Sequence, residues 1–129
     1  MKLSQAYARP RPTGGLELWS WCFMRISGLL LLLLALGHLV LMHLIHSVDE
    51  INYAFVAGRY AGWFWRGYDL AMLLLAMVHG TNGVRIIMDD YLHRPAWRRL
   101  ALTGLYLVCG ALTVLGSAVA LFFQPVVSP

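Results

Sequence analysis

The sequence predicts an all-α membrane protein with three transmembrane helices, and three observations predict it. Of 129 residues, 60% are hydrophobic and only 12% charged, with a mean hydropathy of +0.66. A soluble core of this length cannot hide so much apolar surface, whereas a bilayer solvates it directly. The apolar residues gather into three runs, each near the ~20 residues that a helix needs to cross a bilayer. The formal charge of +4 is concentrated in an N-terminal arm and one connecting loop. That asymmetry follows the positive-inside rule; a nucleic-acid binder would carry a basic stripe with interleaved aromatics. One domain is expected.

Residues 1–18 form a polar arm, basic through Lys2, Arg9 and Arg11, in which Pro10, Pro12, Gly14 and Gly15 deny a long helix before about Leu16. The first span is expected over 19–46, with the leucine run 29–34 at its centre and Trp19 and Trp21 as interfacial anchors. It is too long for a signal-peptide core and is read as retained. Arg25 lies one or two turns inside the anchor, deep enough to require snorkelling or a buried acceptor. His43 and His46 read as polar termini. Residues 47–62 connect to the second span, expected over 63–88 and opened by an aromatic belt of Tyr60, Trp63, Phe64, Trp65 and Tyr68. That span leaves the bilayer at Asp89, Asp90 and Tyr91, followed by His93, Arg94, Arg98 and Arg99. The third span, 100–123, carries no charge, and its small residues Thr113 and Ser117, and Gly116 and Ala120, recur at a spacing of four that suits close packing. Residues 124–129 are a short tail. The predicted topology places the N-terminus in the cytoplasm and the C-terminus outside. Cys22 and Cys109 fall inside apolar runs without metal or redox spacing and read as small core residues.

Chemistry concentrates in the stretch from His79 to Tyr91. Hydrocarbon penalises ionisable groups, so an imidazole in mid-span needs a reason to be there. From His79, the helix delivers Asp90 and Tyr91 roughly 18 Å further along its axis, at the polar edge. A deep imidazole above a shallow acid and phenol suits a buried metal ligand, most obviously to haem iron, with a proton-handling site near one surface. The same residues also suit a polar helix end in an interfacial belt. His38 stands thirteen residues past Arg25, about 20 Å from that surface. This depth resembles that of His79, and His38 reads equally as a ligand or as a histidine bonded to a neighbouring helix. His93 is a loop residue suited to water or a headgroup.

Three spans, Arg25-Ile26-Ser27-Gly28 early in the first, and His79 followed by Gly83 and by Asp90-Tyr91 carry a family resemblance. The chain resembles the hydrophobic membrane anchor (D-type, cytochrome b subunit) of bacterial succinate dehydrogenase, the succinate:quinone oxidoreductase or complex II. The resemblance implies a subunit of the bacterial inner (cytoplasmic) membrane. Its implied partners are a second, C-type anchor, an iron-sulfur subunit and a flavoprotein subunit that oxidises succinate. It implies one or two haems b shared with the second anchor, and quinone as substrate. Carried over by position, His79 matches the axial haem ligand, and His38 is the candidate second ligand. Asp90 and Tyr91 match the quinone pair, and Arg25 and Ser27, expected with Trp21 in the same quinone pocket, match the Arg-x-Ser-Gly motif, which in many members belongs to the C-type partner. Met24 stands where such motifs often have His, and Trp21 where they often have Ser.

Quinone reduction consumes two electrons and two protons. Tyr91 is expected to donate to a carbonyl oxygen, Asp90 to orient a neighbouring side chain or relay protons, Arg25 to stabilise developing negative charge, and Trp21 or Trp19 to pack on the ring. Two other readings stay open: a self-contained b-type cytochrome ligated by His38 and His79, and a structural membrane subunit without a cofactor. No nucleotide loop, CxxC pair or hydrolytic triad is present, so the flavin and clusters of such a complex belong to other chains.

Overall fold

The computed structural model describes residues 14–124; the basic residues of the N-terminal arm and the prolines of the C-terminal tail lie outside them. Helix α1 (Gly15–Leu39) runs on into a π-helical turn, Val40–Ile45. A 3-10 turn (Val48–Glu50) and the short helix α2 (Tyr53–Tyr60) follow, then α3 (Trp63–Tyr91) and α4 (Pro95–Phe122). Three helices are long and apolar enough to span a membrane, over Leu18–Ile45, Trp63–Tyr91 and Pro95–Phe122, and no strand occurs among the described residues.

Local chemistry sets the helix boundaries. Asn52 caps α2, its Oδ1 accepting from the backbone N–H of Phe55 at 3.0 Å. Pro95 occupies the first turn of α4, where its missing N–H costs nothing. At the other end of α4 the terminal carbonyls lack intrahelical donors, and in hydrocarbon no water replaces them. Arg66 of α3 supplies the donors. Its guanidinium donates to the carbonyls of Ala120 (3.2 Å), Leu121 (3.1 Å) and Phe123 (2.6 Å), with Nε on Tyr60 O at 2.5 Å. A cation here also faces the negative end of the helix dipole.

Helix α3 is the central element, packed on both α1 and α4. A Cβ added at Gly116 of α4 would come within 2.6 Å of Leu73 Cδ2. The close approach inferred from the small-residue spacing is therefore made at this position. On the other side, Tyr68 donates to Leu34 O at 2.5 Å, and its hydroxyl lies 3.0 Å from where a Cβ of Gly37 would stand. Tyr68 thus ties two helices together, whereas Trp63 and Phe64 of the same aromatic run face outward. Among the described residues, only Ser27 and Ala120 are fully buried. The leucines of α1 present a broad apolar face that only lipid or another hydrophobic chain can cover.

Candidate functional site

The one fully buried polar side chain among the described residues, Ser27 at 1% exposure, lies against His79. Ser27 Oγ is 2.8 Å from His79 Nδ1 and 3.5 Å from the carbonyl of Met24, one turn back on α1. With the hydroxyl hydrogen turned to that carbonyl, the Oγ lone pairs accept Nδ1–H, and the basic nitrogen of the ring is Nε2. Room for the imidazole comes from Gly28, where an added Cβ would stand 3.3 Å from His79 Cε1. The α1–α3 seam is polar beyond this pair: Asn82 donates to Ser20 Oγ at 3.3 Å, and Arg85 Nε donates to Asn82 Oδ1 at 3.1 Å.

His38 occupies a different level. Its Nδ1 lies 4.0 Å from Asp69 Oδ1, beyond a direct hydrogen bond, and is buried without a partner. Asp69 is already engaged by Arg59, whose Nη2 reaches Oδ1 at 2.9 Å and whose Nε lies 3.4 Å from Oδ2. The Arg59 side chain is only 8% exposed and stacks over Trp65, 4.1 Å from the ring centroid. Burial first, then the nearby Asp69 carboxylate, pushes the Tyr60 phenol above its ordinary value, so it stays protonated at neutral pH. His38, Tyr60 and Asp69 line a largely apolar cavity of about 650 Å³ between α1, α3 and α4.

This geometry corrects the equal depths read from the sequence. His79 pairs with Ser27, whereas His38, eleven residues further along α1, meets Asp69, ten residues back along α3. The two imidazoles are therefore separated by about 15 Å along the helix axes. Arg25 lies two residues from the Ser27–His79 level and Asp90 eleven, so the two do not mark one surface and depths counted from them do not compare. Two axial ligands of one iron must meet at one point, so His38 and His79 cannot ligate the same haem.

The other expected site residues fall into separate groups. Arg25 has no buried acceptor among the described residues: it is exposed, with its guanidinium 3.9 Å from the centroid of the Trp21 ring, one turn nearer the interface. Helix α3 continues past Met88 to Tyr91, so Asp89, Asp90 and Tyr91 form its last turn. Tyr91, 78% exposed, lines a groove with Leu92, His93, Arg94 and Trp97 that takes no wall from α1. Asp90 is exposed as well. Among the described residues, no cluster of three or more His, Cys, Asp or Glu could hold a bare metal ion. An axial haem ligand asks for a single imidazole, and His79 fits it, with Nδ1 fixed by the protein and Nε2 left for iron.

Asp69 and Arg66 carry chemistry that the aromatic run around them hides in the sequence. The available signal was an acid seven residues into a span, which hydrocarbon tolerates only beside a cation or a donor.

Residues 2–119 match the sequence profile of the succinate dehydrogenase/fumarate reductase transmembrane subunit. The chain is also similar to the succinate dehydrogenase hydrophobic membrane anchor subunit of Archaeoglobus fulgidus, with 33% identity over 75 residues. That similarity covers 58% of this chain and spans 63% of the length of the archaeal relative.

Proposed function

The chain belongs to the succinate dehydrogenase/fumarate reductase transmembrane-subunit family, and from that premise we propose that it holds haem b through His79 Nε2 and contributes to a quinone-reducing site. In this reading it pairs with a second, C-type anchor and carries an iron-sulfur subunit and a flavoprotein subunit at the Asp90 end. It sits in a bacterial cytoplasmic membrane with that end inward. The observation that carries the reading is the Ser27–His79 bond at 2.8 Å, which orients a mid-span imidazole through Nδ1. A second ligand to a haem held by His79 would have to come from another chain, because His38 stands at another level.

Haem b bound at His79 would supply a one-electron store between the iron-sulfur subunit and quinone. The remaining work belongs to side chains at the Asp90 end. Tyr91 donates a hydrogen bond to a quinone carbonyl oxygen, and Asp90 passes protons from the aqueous side. Arg25, two residues from Ser27, stands nearer the His79 level than Tyr91 does; stacked on Trp21, it offers positive charge at the deeper end of the pocket as negative charge develops there. Ser27 serves the imidazole, a role distinct from the quinone contact expected of it. The exposure of Tyr91 and of Trp21 supports a pocket whose remaining walls come from partner subunits.

The test is the reduced-minus-oxidised spectrum of the purified complex. His79→Ala is expected to abolish or strongly shift the low-spin b-type band while succinate oxidation with an artificial dye persists; an unaltered band contradicts ligation. Tyr91→Phe is expected to lower quinone reduction at least tenfold, about 1.4 kcal/mol, with dye reduction unchanged.

A further inference from the structure

We propose that the crevice between α3 and α4 at the Asp90 end is a binding site for one anionic phospholipid. Two cavities flank the α3–α4 seam. The larger holds His38 and Asp69; the smaller, about 340 Å³, is lined by Met77, Val78, Thr81, Asn82, Arg85 and Tyr106 together with Cys109, Gly110 and Thr113. At ~100° per residue, Thr81 and Arg85 lie roughly 120–160° round α3 from His79. The crevice is thus separate from the proposed haem and quinone residues.

Its lining sorts by depth into a head site and a tail site. Arg85 stands six residues before the end of α3 at Tyr91, about 9 Å along the axis and just beneath the headgroup layer. Among the described residues its hydrogen bonding is through Nε alone, to Asn82. Its two terminal nitrogens remain to donate, and a guanidinium fork matches a phosphate diester. Tyr106 lines the same crevice and offers a hydroxyl. Deeper in, Met77, Val78, Cys109 and Gly110 make an apolar trough. The trough is open at Gly110, where a Cβ meets nothing within 4 Å. A cation at headgroup depth above an apolar trough complements an anionic head with an acyl chain; the nearest carboxylate, Asp89 one turn on, lies within electrostatic reach of Arg85 but is bonded to Arg98 at 2.7 Å, which leaves the Arg85 fork to a phosphate.

Two variants and two readouts test this on the complete complex in mild detergent. Phospholipid extracted from the washed complex should include one tightly held anionic molecule per copy of this chain. Arg85→Gln should lose it, and so should Gly110→Leu, which fills the trough at a position where nothing packs. In a Cys22→Ala background, a small maleimide should modify Cys109 several-fold faster after delipidation. Vesicles of phosphatidylglycerol should restore protection, while phosphatidylcholine vesicles or inorganic phosphate should not. Both variants should keep the b-type band and the dye activity of the unmodified complex. Equal phospholipid content in all three complexes would overturn the proposal, as would protection by phosphate or phosphatidylcholine, or protection that survives delipidation because a protein chain covers the crevice.

Discussion

The environments of His79 and His38 separate what an intramembrane histidine is from what it does. Both rings lie on the α1–α3 seam. His79 meets a neutral hydroxyl at 2.8 Å, which fixes one nitrogen and frees the other. His38 faces a carboxylate 4.0 Å away that Arg59 already holds, so its Nδ1 is buried and unmatched. The first arrangement leaves Nε2 free for the ligand role proposed for it. The second is an ion pair with an imidazole beside it, at the edge of a cavity large enough to admit a further group.

The largest expected effect lies on the His38 side. Arg59 and Asp69 form a mostly buried pair, and removing one member strands the other. Arg59→Leu is expected to destabilise the subunit by about 3–5 kcal/mol, seen as a lower thermal midpoint of the complex in detergent. The double variant Arg59→Leu/Asp69→Leu should recover much of that loss. If the single variant melts like the unmodified complex, the pair does not stabilise the fold and the contrast between the two histidines weakens.

A smaller effect is expected at Ser27. Losing a partner that orients a metal ligand typically costs 10–100-fold in affinity, so Ser27→Ala should bind haem about tenfold or more weakly in titrations of the apo-complex. Ser27→Thr keeps the hydroxyl but adds a methyl where the side chain is 1% exposed, and steric crowding should make it an imperfect rescue. The smallest effect belongs to His38→Ala. With His38 about 15 Å from the His79 level, the band assigned to His79 should keep its position and intensity. Loss of that band would return both rings to one iron and collapse the comparison.

Most of the fold was legible because the bilayer imposes a simple rule of length and apolarity, and the three long helices obey it. Gly116 and Ala120 also showed in the sequence, because close helix contacts demand small residues at a fixed spacing. The motif singles out His79 but not its contact with Ser27, because the lateral register of two helices depends on packing that spacing along one chain does not encode. The same gap produced the mistaken depth of His38. Asp69 and Arg66 were passed over inside a run judged by its aromatic anchors, although their charge is what that end of the bundle is built on: one receives Arg59, the other closes α4.

The central claim is that the imidazole at position 79 faces iron through Nε2 while Ser27 holds Nδ1. An experimental structure of the intact complex, at a resolution that orients the ring, tests it most directly. The account predicts a porphyrin iron bonded to His79 Nε2, with Ser27 Oγ still within hydrogen-bond distance of Nδ1. A ring turned toward acyl chains or bonded only to protein, with no porphyrin beside it, would contradict the account.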